Sequence, residues 1–458
     1  MNTPLRCIAF FLFAATASVA QTPELSAWLI NTNGALGRHY VNGNSTPIQD
    51  NDSVNVQRVQ YSNNWVYVKT KGIPAYITGP FLDGNPSQAT NQNAIFKLSR
   101  NPVQNTGTPT NTTGGNIGIC INGVAIFDYR DGVAWNANTN ALCGGPGNPP
   151  CPGGPMASLP WNRDAIRAER PGFDCSKGHP AMGNYHHHQN PSAFNLDLNV
   201  LSTICNLYAA DGLYTIDSTQ HSPLIGFAYD GFPIYGAYGY RNTDGTGGIV
   251  RMKSGYELRN ITVRTTSPTG ATVTAGPPVS TTYPLGYFRE DYHYVGGNGL
   301  PDVLDVHNGR FCVTPEYPSG TYCYFATVDA NWNSAYPYLI GPTFYGTVTG
   351  AKVTTINESV TTYAPAPTGM SSAESFRLDF NAYPNPGSEF LAVQVNGLNR
   401  DVLQLYLYDV AGRLLDQKRI SPGSTIAYFD VRTLYPGQYI VKVSGPSGEQ
   451  SKRISITR

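Results

Sequence analysis

The chain has 458 residues, enough for two or three domains with sizeable cores. Its 30 basic and 30 acidic residues balance, with no basic run and no acidic tail, so neither charge nor patterning offers a footprint for nucleic acid. The 48 glycines, 35 prolines and 30 tyrosines against only 13% charged residues disfavour long helices and point to a mainly β, extracellular fold built of short strands and turns.

The first 20 residues read as a secretory signal. Arg6 precedes the apolar run Cys7 to Phe13, and the small residues Ala17-Ser18-Val19-Ala20 place the start of the mature chain at Gln21. No later apolar run reaches the ~20 residues that span a bilayer, so no transmembrane segment is expected in the mature chain. From Glu24 to Phe96 short β-type runs such as Trp65-Val66-Tyr67-Val68 alternate with Asn/Asp/Gly turns, and residues 75–95 and 101–116 read as surface loops. Residues 117–129 predict a hairpin with Asn122-Gly123 at its turn. Residues 130–160 read as a long Gly/Pro/Asn loop, and the apolar spacing of Leu196, Leu198, Val200, Leu201, Ile204 and Leu207 predicts a helix. Tyr287 to Val295 and Phe311 to Phe325 read as strands, the latter folded at Pro318-Ser319-Gly320.

Residues 351–379 turn to Thr, Ser, Ala and Pro, a linker composition. Beyond them Leu391-Ala392-Val393-Gln394-Val395, Leu403 to Tyr408 and Gln438 to Val443 alternate at period two, the pattern of a small immunoglobulin-like β-sandwich. The expected organisation is a signal at 1–20, a large loop-rich β domain at 21–350, a linker at 351–379 and the sandwich at 380–458.

Removal of the signal leaves seven cysteines in a disulfide-permissive compartment, so one is odd. Proximity suggests Cys312 with Cys323, Cys143 with Cys151, and Cys175 with Cys205 across the histidine-rich stretch. Cys120, inside an apolar run, is then the buried free thiol.

Four of the eight histidines lie in Gly178-His179-Pro180-Ala181-Met182-Gly183-Asn184-Tyr185-His186-His187-His188-Gln189. On a strand His186 and His188 project to one face, Tyr185 and His187 to the other. Such an H-x-H pair chelates a transition metal, copper or zinc, when a third ligand joins it. His179 can fold back through the Gly183-Asn184 turn, and Asp305 with His307 forms a second same-face pair, so the candidate ligands are His186, His188, His179, Asp305 and His307. Asp230 and Glu316 are weaker candidates. His221 reads as a hydrogen-bonding structural residue, His293 lies in a similar local setting, and His39 reads as a surface residue. No G-x-S-x-G, phosphate loop or H-E-x-x-H occurs.

The stretch Tyr185-His186-His187-His188 resembles the signature of the YHYH family of secreted proteins, with His in place of the second Tyr. His221 to Gly236, Leu304 to Phe311 and Thr314 to Tyr322 extend the resemblance over about residues 25–350, and it carries no assigned reaction. Tyr383-Pro384-Asn385-Pro386, Tyr408-Asp409-Val410-Ala411-Gly412-Arg413, Leu434-Tyr435-Pro436-Gly437-Gln438-Tyr439 and the basic Lys452-Arg453 are similar to the C-terminal sorting domain of type IX secretion cargo in Bacteroidota. That likeness implies the type IX machinery as a partner, delivery to the cell surface or beyond, and removal of the tail on export.

Two functions are then in view. One is a secreted metal protein with hydrolytic or redox chemistry, or metal capture, at the histidine cluster. The other is a non-enzymatic surface or adhesion module whose signature residues form a buried hydrogen-bond network, its tyrosines available to a polysaccharide or surface partner.

Overall fold

The computed structural model describes residues 22–44, 46–83, 87–145, 147–154, 159–191, 216–364, 380–395, 402–410, 412–421, 426–445 and 448–457. The signal sequence, the helix expected at 196–207 and Cys205 lie outside them. The chain divides after Tyr363 into two compact units.

The first unit is built on an eight-stranded sheet. In chain order its strands are β1 (Asn116–Cys120), β2 (Ala125–Phe127), β3 (Gly178–Ala181), β4 (Asn184–His187), β5 (Leu224–Ala228), β6 (Pro233–Tyr235), β7 (Gly309–Cys312) and β8 (Thr321–Phe325). Across the sheet they run β3-β4-β2-β1-β5-β6-β8-β7, so the order on one side of the β1/β5 seam mirrors that on the other. Hairpins β1–β2 and β5–β6 flank the seam, each joined by a parallel pairing to an outer hairpin, β4 to β2 and β8 to β6. All of β5 is buried, which accounts for its unbroken apolar run Leu224-Ile225-Gly226-Phe227-Ala228 where a half-exposed strand would alternate.

A five-stranded antiparallel sheet contains Val56–Tyr61, Trp65–Thr70 and Ala94–Ser99, the last alternating Ala94, Phe96 and Leu98 inward. Its outer strands are Ala351–Val353 and Thr361–Thr362. The stretch expected as a linker therefore begins inside this sheet, because an edge strand of two or three residues is held by ladder bonds that need no apolar side chains. Residues 75–95 are likewise no simple surface loop: Tyr76, Ile77 and Phe81 are buried, and Tyr76 lies against Tyr185 and His187.

Residues 130–160 are also more ordered than their composition suggests. Arg130–Asn136 and Ala141–Cys143 pair with each other, and Asn162–Asp164 pairs with the first of them. The Cys143–Cys151 disulfide closes this small sheet, with Cα atoms 4.8 Å apart. Cys175 is disulfide-bonded as well. Cys120 is a buried free thiol, as expected. Cys312 and Cys323 correct the expectation of a bridge: both are buried thiols. They stand diagonally, Cys312 opposite Thr321 and Cys323 opposite Arg310, and the Cys323 thiol donates to the Cys312 sulfur.

The second unit is an immunoglobulin-like sandwich. Phe380–Tyr383, Phe390–Val395 and Ile426–Asp430 form one sheet, and Leu403–Asp409, Leu414–Ile420, Gly437–Gly445 and Gly448–Ile456 the other. Leu391, Val393, Leu405, Leu407, Phe429, Val441 and Val443 meet in its core, the period-two residues of the sequence.

Candidate metal centre

The outer hairpin β3–β4 turns through Met182 and Gly183, both at positive φ, and sets His179 directly opposite His186. His188 follows β4 on the same face as His186. The three Nε2 atoms converge: His186 to His188 is 3.0 Å and His179 to His188 is 3.3 Å. All three rings are buried. Phe127 stacks on His186 with ring centroids 3.9 Å apart, and Phe173 meets His179 edge-on.

Tautomers follow from the other ring nitrogens. His188 Nδ1 lies 2.6 Å from the Asp128 carbonyl and His186 Nδ1 lies 2.8 Å from the Asn184 carbonyl. A carbonyl only accepts, so each Nδ1 carries the proton and, in the neutral ring, each Nε2 presents a bare lone pair toward the other. Metal-ligating histidines are held in this way, the ring N–H away from the ion donating to a carbonyl that fixes the tautomer.

Glu169 joins them, and the sequence reading passed over it. It follows the single-turn helix Ala165–Ala168, whose N-terminus is fixed by Asp164: that carboxylate accepts from the Ile166 amide at 2.9 Å and from the Tyr338 hydroxyl at 2.6 Å. Glu169 Oε2 sits 3.2 Å from His179 Nε2 and 3.3 Å from His188 Nε2, buried and without a hydrogen-bond donor. Burial alone would raise its pKa, but the two facing imidazoles outweigh that and hold it well below the usual carboxylate range. Burial would likewise depress His188, and Glu169 reverses the sign and raises it. His186, dominated by burial and then by its two imidazole neighbours, is pushed well below an ordinary histidine.

The cluster floors an open cavity of about 530 Å³ lined also by Phe127, Arg130, Asp131, Asn162 and Met182. Arg130 Nε donates to Asp128 at 2.7 Å. Burial pushes the Asp131 carboxyl up to about 6 despite its ion pair with Arg163.

Among the described residues His179, His186 and His188 are the group of three or more His, Cys, Asp or Glu placed to hold a metal. Asp305 and His307 are elsewhere. The Asp305-Val306-His307-Asn308 segment is a turn, with Asn308 at φ 68°, so the two side chains do not share a strand face. Asp305 accepts from the His307 and Gly309 amides and from the Tyr322 hydroxyl, and His307 Nδ1 lies 2.7 Å from Thr343 Oγ1. Asp230 accepts from Tyr324 and the Gly346 amide, and Glu316 from Tyr235. His221 Nδ1 bonds the Ser222 carbonyl, the structural role expected. His293 lies on the strand Tyr292–Tyr294 opposite Glu257. His39 is not a free surface residue but pairs with Asp50 at 2.7 Å.

No described helix is long and apolar enough to cross a membrane. Residues 381–457 match the Secretion system C-terminal sorting domain, which implies contact with the secretion machinery and delivery to the cell surface. A comparison with curated proteins finds no match. Among solved structures the chain is similar to a DUF3244 family protein with an immunoglobulin-like β-sandwich fold from Bacteroides vulgatus, at 17% identity over 17% of this chain and 94% of that one, with a TM-score of 0.14. Residues 95–337, which hold both hairpin pairs and the histidine cluster, match the YHYH protein family, and the chain belongs to that family.

Proposed function

We propose that the YHYH unit binds one transition-metal ion, copper or zinc, through the Nε2 atoms of His179, His186 and His188, and that Glu169 supplies the balancing charge. The carrying observation is the 3.0 Å approach of two ring nitrogens whose protons are committed to main-chain carbonyls, beside a buried carboxylate oxygen with no donor. With both rings neutral, lone pair faces lone pair, and a cation held by the three nitrogens would remove that repulsion and balance the Glu169 charge. Imidazole donors suit copper and zinc.

Three protein nitrogens facing an open cavity match the donor set of a reactive site, where a structural site would be closed by a fourth ligand. When bound, the ion would supply Lewis-acid or redox chemistry there. Asp131, with its carboxyl near 6, is suited to exchange a proton with a molecule in the cavity, and Arg130 to orient an anionic group. The tetrapeptide's other residues fit the structural reading instead: Tyr185 donates to Asp174, and His187 Nε2 meets the Tyr76 hydroxyl at 2.7 Å. A signal peptide at 1–20 and loss of the tail during export complete the proposal.

Metal analysis of protein purified without a tag tests it. About one equivalent of copper or zinc is expected, and His186→Ala with His188→Ala should abolish it. Undiminished metal in that double variant would place any ion elsewhere.

A further inference from the structure

We infer that the eight-stranded sheet is a duplicated unit and that its second copy contains the metal site in a converted form, with the Arg310 guanidinium as a built-in cation. The metal half of this inference rests on the reading above; the duplication does not.

The mirrored strand order is matched residue by residue. Ile117-Gly118-Ile119-Cys120-Ile121-Asn122-Gly123-Val124-Ala125-Ile126-Phe127 aligns without a gap on Ile225-Gly226-Phe227-Ala228-Tyr229-Asp230-Gly231-Phe232-Pro233-Ile234-Tyr235. At the seam Ile119 pairs with its own counterpart Phe227, flanked by Cys120 with Gly226 and Gly118 with Ala228, the register a twofold axis requires. In each hairpin turn the Asn122 or Asp230 side chain accepts from the main-chain amide two residues on.

The outer hairpins repeat as closely. Asp174 and Asp305 each accept from amides two and four residues later, Ser176 and Gly178 in one copy, His307 and Gly309 in the other. Lys177 and Asn308 both hold positive φ, 64° and 68°. Each aspartate takes the hydroxyl of a tyrosine on the returning strand, Tyr185 or Tyr322. A Cβ on Gly178 or Gly309 would stand 2.4 Å from that tyrosine's oxygen, so both positions require glycine. Gly178 pairs with His187 and Gly309 with Tyr324, while His187 and Tyr324 pair with the counterparts Ile126 and Ile234.

This register fixes the equivalences at the metal centre. His179 corresponds to Arg310, His186 to Cys323 and His188 to Phe325. The second set cannot chelate: Phe325 has no ligand atom, and the Cys323 thiol is engaged with Cys312. In its place Arg310, itself buried, donates to the carbonyls of Arg241 at 2.9 Å, Pro301 and Tyr240, and lies over the Phe325 ring. One half of the sheet thus carries a fixed cation and the other a site for an exchangeable one, so this sheet holds one metal and not two.

The test is to rebuild the first copy in the second. The triple variant Arg310→His, Cys323→His, Phe325→His, made in the full chain and supplied with Cu or Zn, should hold two equivalents by native mass spectrometry where the parent holds one. A folded triple variant that still loads one overturns the inference. Because three core changes can prevent folding, a second comparison decides alone. In chelator, His179→Arg should melt several degrees above His179→Ala, since its guanidinium would take the cation's place beside Glu169; equal or lower melting overturns the equivalence. Absence of any metal from the parent protein would defeat the metal reading and leave this second comparison intact.

Discussion

His179 lies directly across the ladder from His186, so the third imidazole reaches the H-x-H pair through the tight Met182-Gly183 turn of a single hairpin. Glu169 then enters from a different element, at 3.2 Å from His179. Glu169→Gln keeps the shape but removes the charge, and it should weaken metal retention by roughly 10- to 100-fold, the usual effect of losing a partner of the ligand shell. Competition with a chromogenic chelator measures this. Unchanged affinity would show that Glu169 faces the histidines without sharing the ion.

The Asp174–Tyr185 bond predicts a purely structural defect. Tyr185→Phe leaves a buried carboxylate short of a donor and should cost about 1–3 kcal/mol. Gly178→Ala forces a methyl group against the same ring and should cost about 1–3 kcal/mol or more. Both variants that fold should keep the metal stoichiometry of the parent. Chemical denaturation with parallel metal analysis separates the two roles, and full stability in either variant would count against the network.

Asp230 should make stability fall as pH rises. Burial raises its carboxyl to about 6, with hydrogen bonds from Tyr324 and the Gly346 amide only partly offsetting this. The folded state therefore holds a proton that the unfolded chain releases near 4, so this group's stabilising contribution is complete below ~4 and declines until pH passes 6. Asp230→Asn cannot ionise, and it should gain roughly 3 kcal/mol relative to the parent between pH 4 and pH 7, at 1.4 kcal/mol per pH unit over about two. Urea unfolding of both proteins at the two pH values gives the difference directly; a gap independent of pH would refute the raised carboxyl.

Truncation after Tyr363 should block delivery to the cell surface while leaving the first unit folded. Truncation after Gly350 should block delivery and also lower the melting temperature, because it removes the edge strands Ala351–Val353 and Thr361–Thr362. Surface fractionation and thermal melts read the two effects. Surface delivery of either truncated form would remove the sorting role of the tail.

The sequence alone determined whatever repeats at short range. Period-two alternation specified the sandwich, because one buried face per strand dictates which residues are apolar. Asn122-Gly123 marked the central hairpin, and the short separation of eight positions from Cys143 to Cys151 brought that pair within bonding reach. Inside the histidine stretch, same-face geometry placed His186 with His188, since adjacent-but-one residues on a strand share a face whatever surrounds them. Only the tertiary structure decided the rest of the centre. Glu169 approaches from a four-residue helix whose sequence carries no periodic signal, and Asp305 and His307 were lost to the site because a turn at Asn308 spends the aspartate on main-chain amides. The 130–160 segment hid its strands beneath a Gly/Pro composition, since ladder bonds join main chains and leave little trace in side-chain chemistry. The mirrored halves stayed hidden for a related reason. The linear chain carries only a thin trace of them, the shared Ile, Gly, Gly and Ile of residues 117–127 and 225–235, and pairing across the seam is what makes the two segments counterparts.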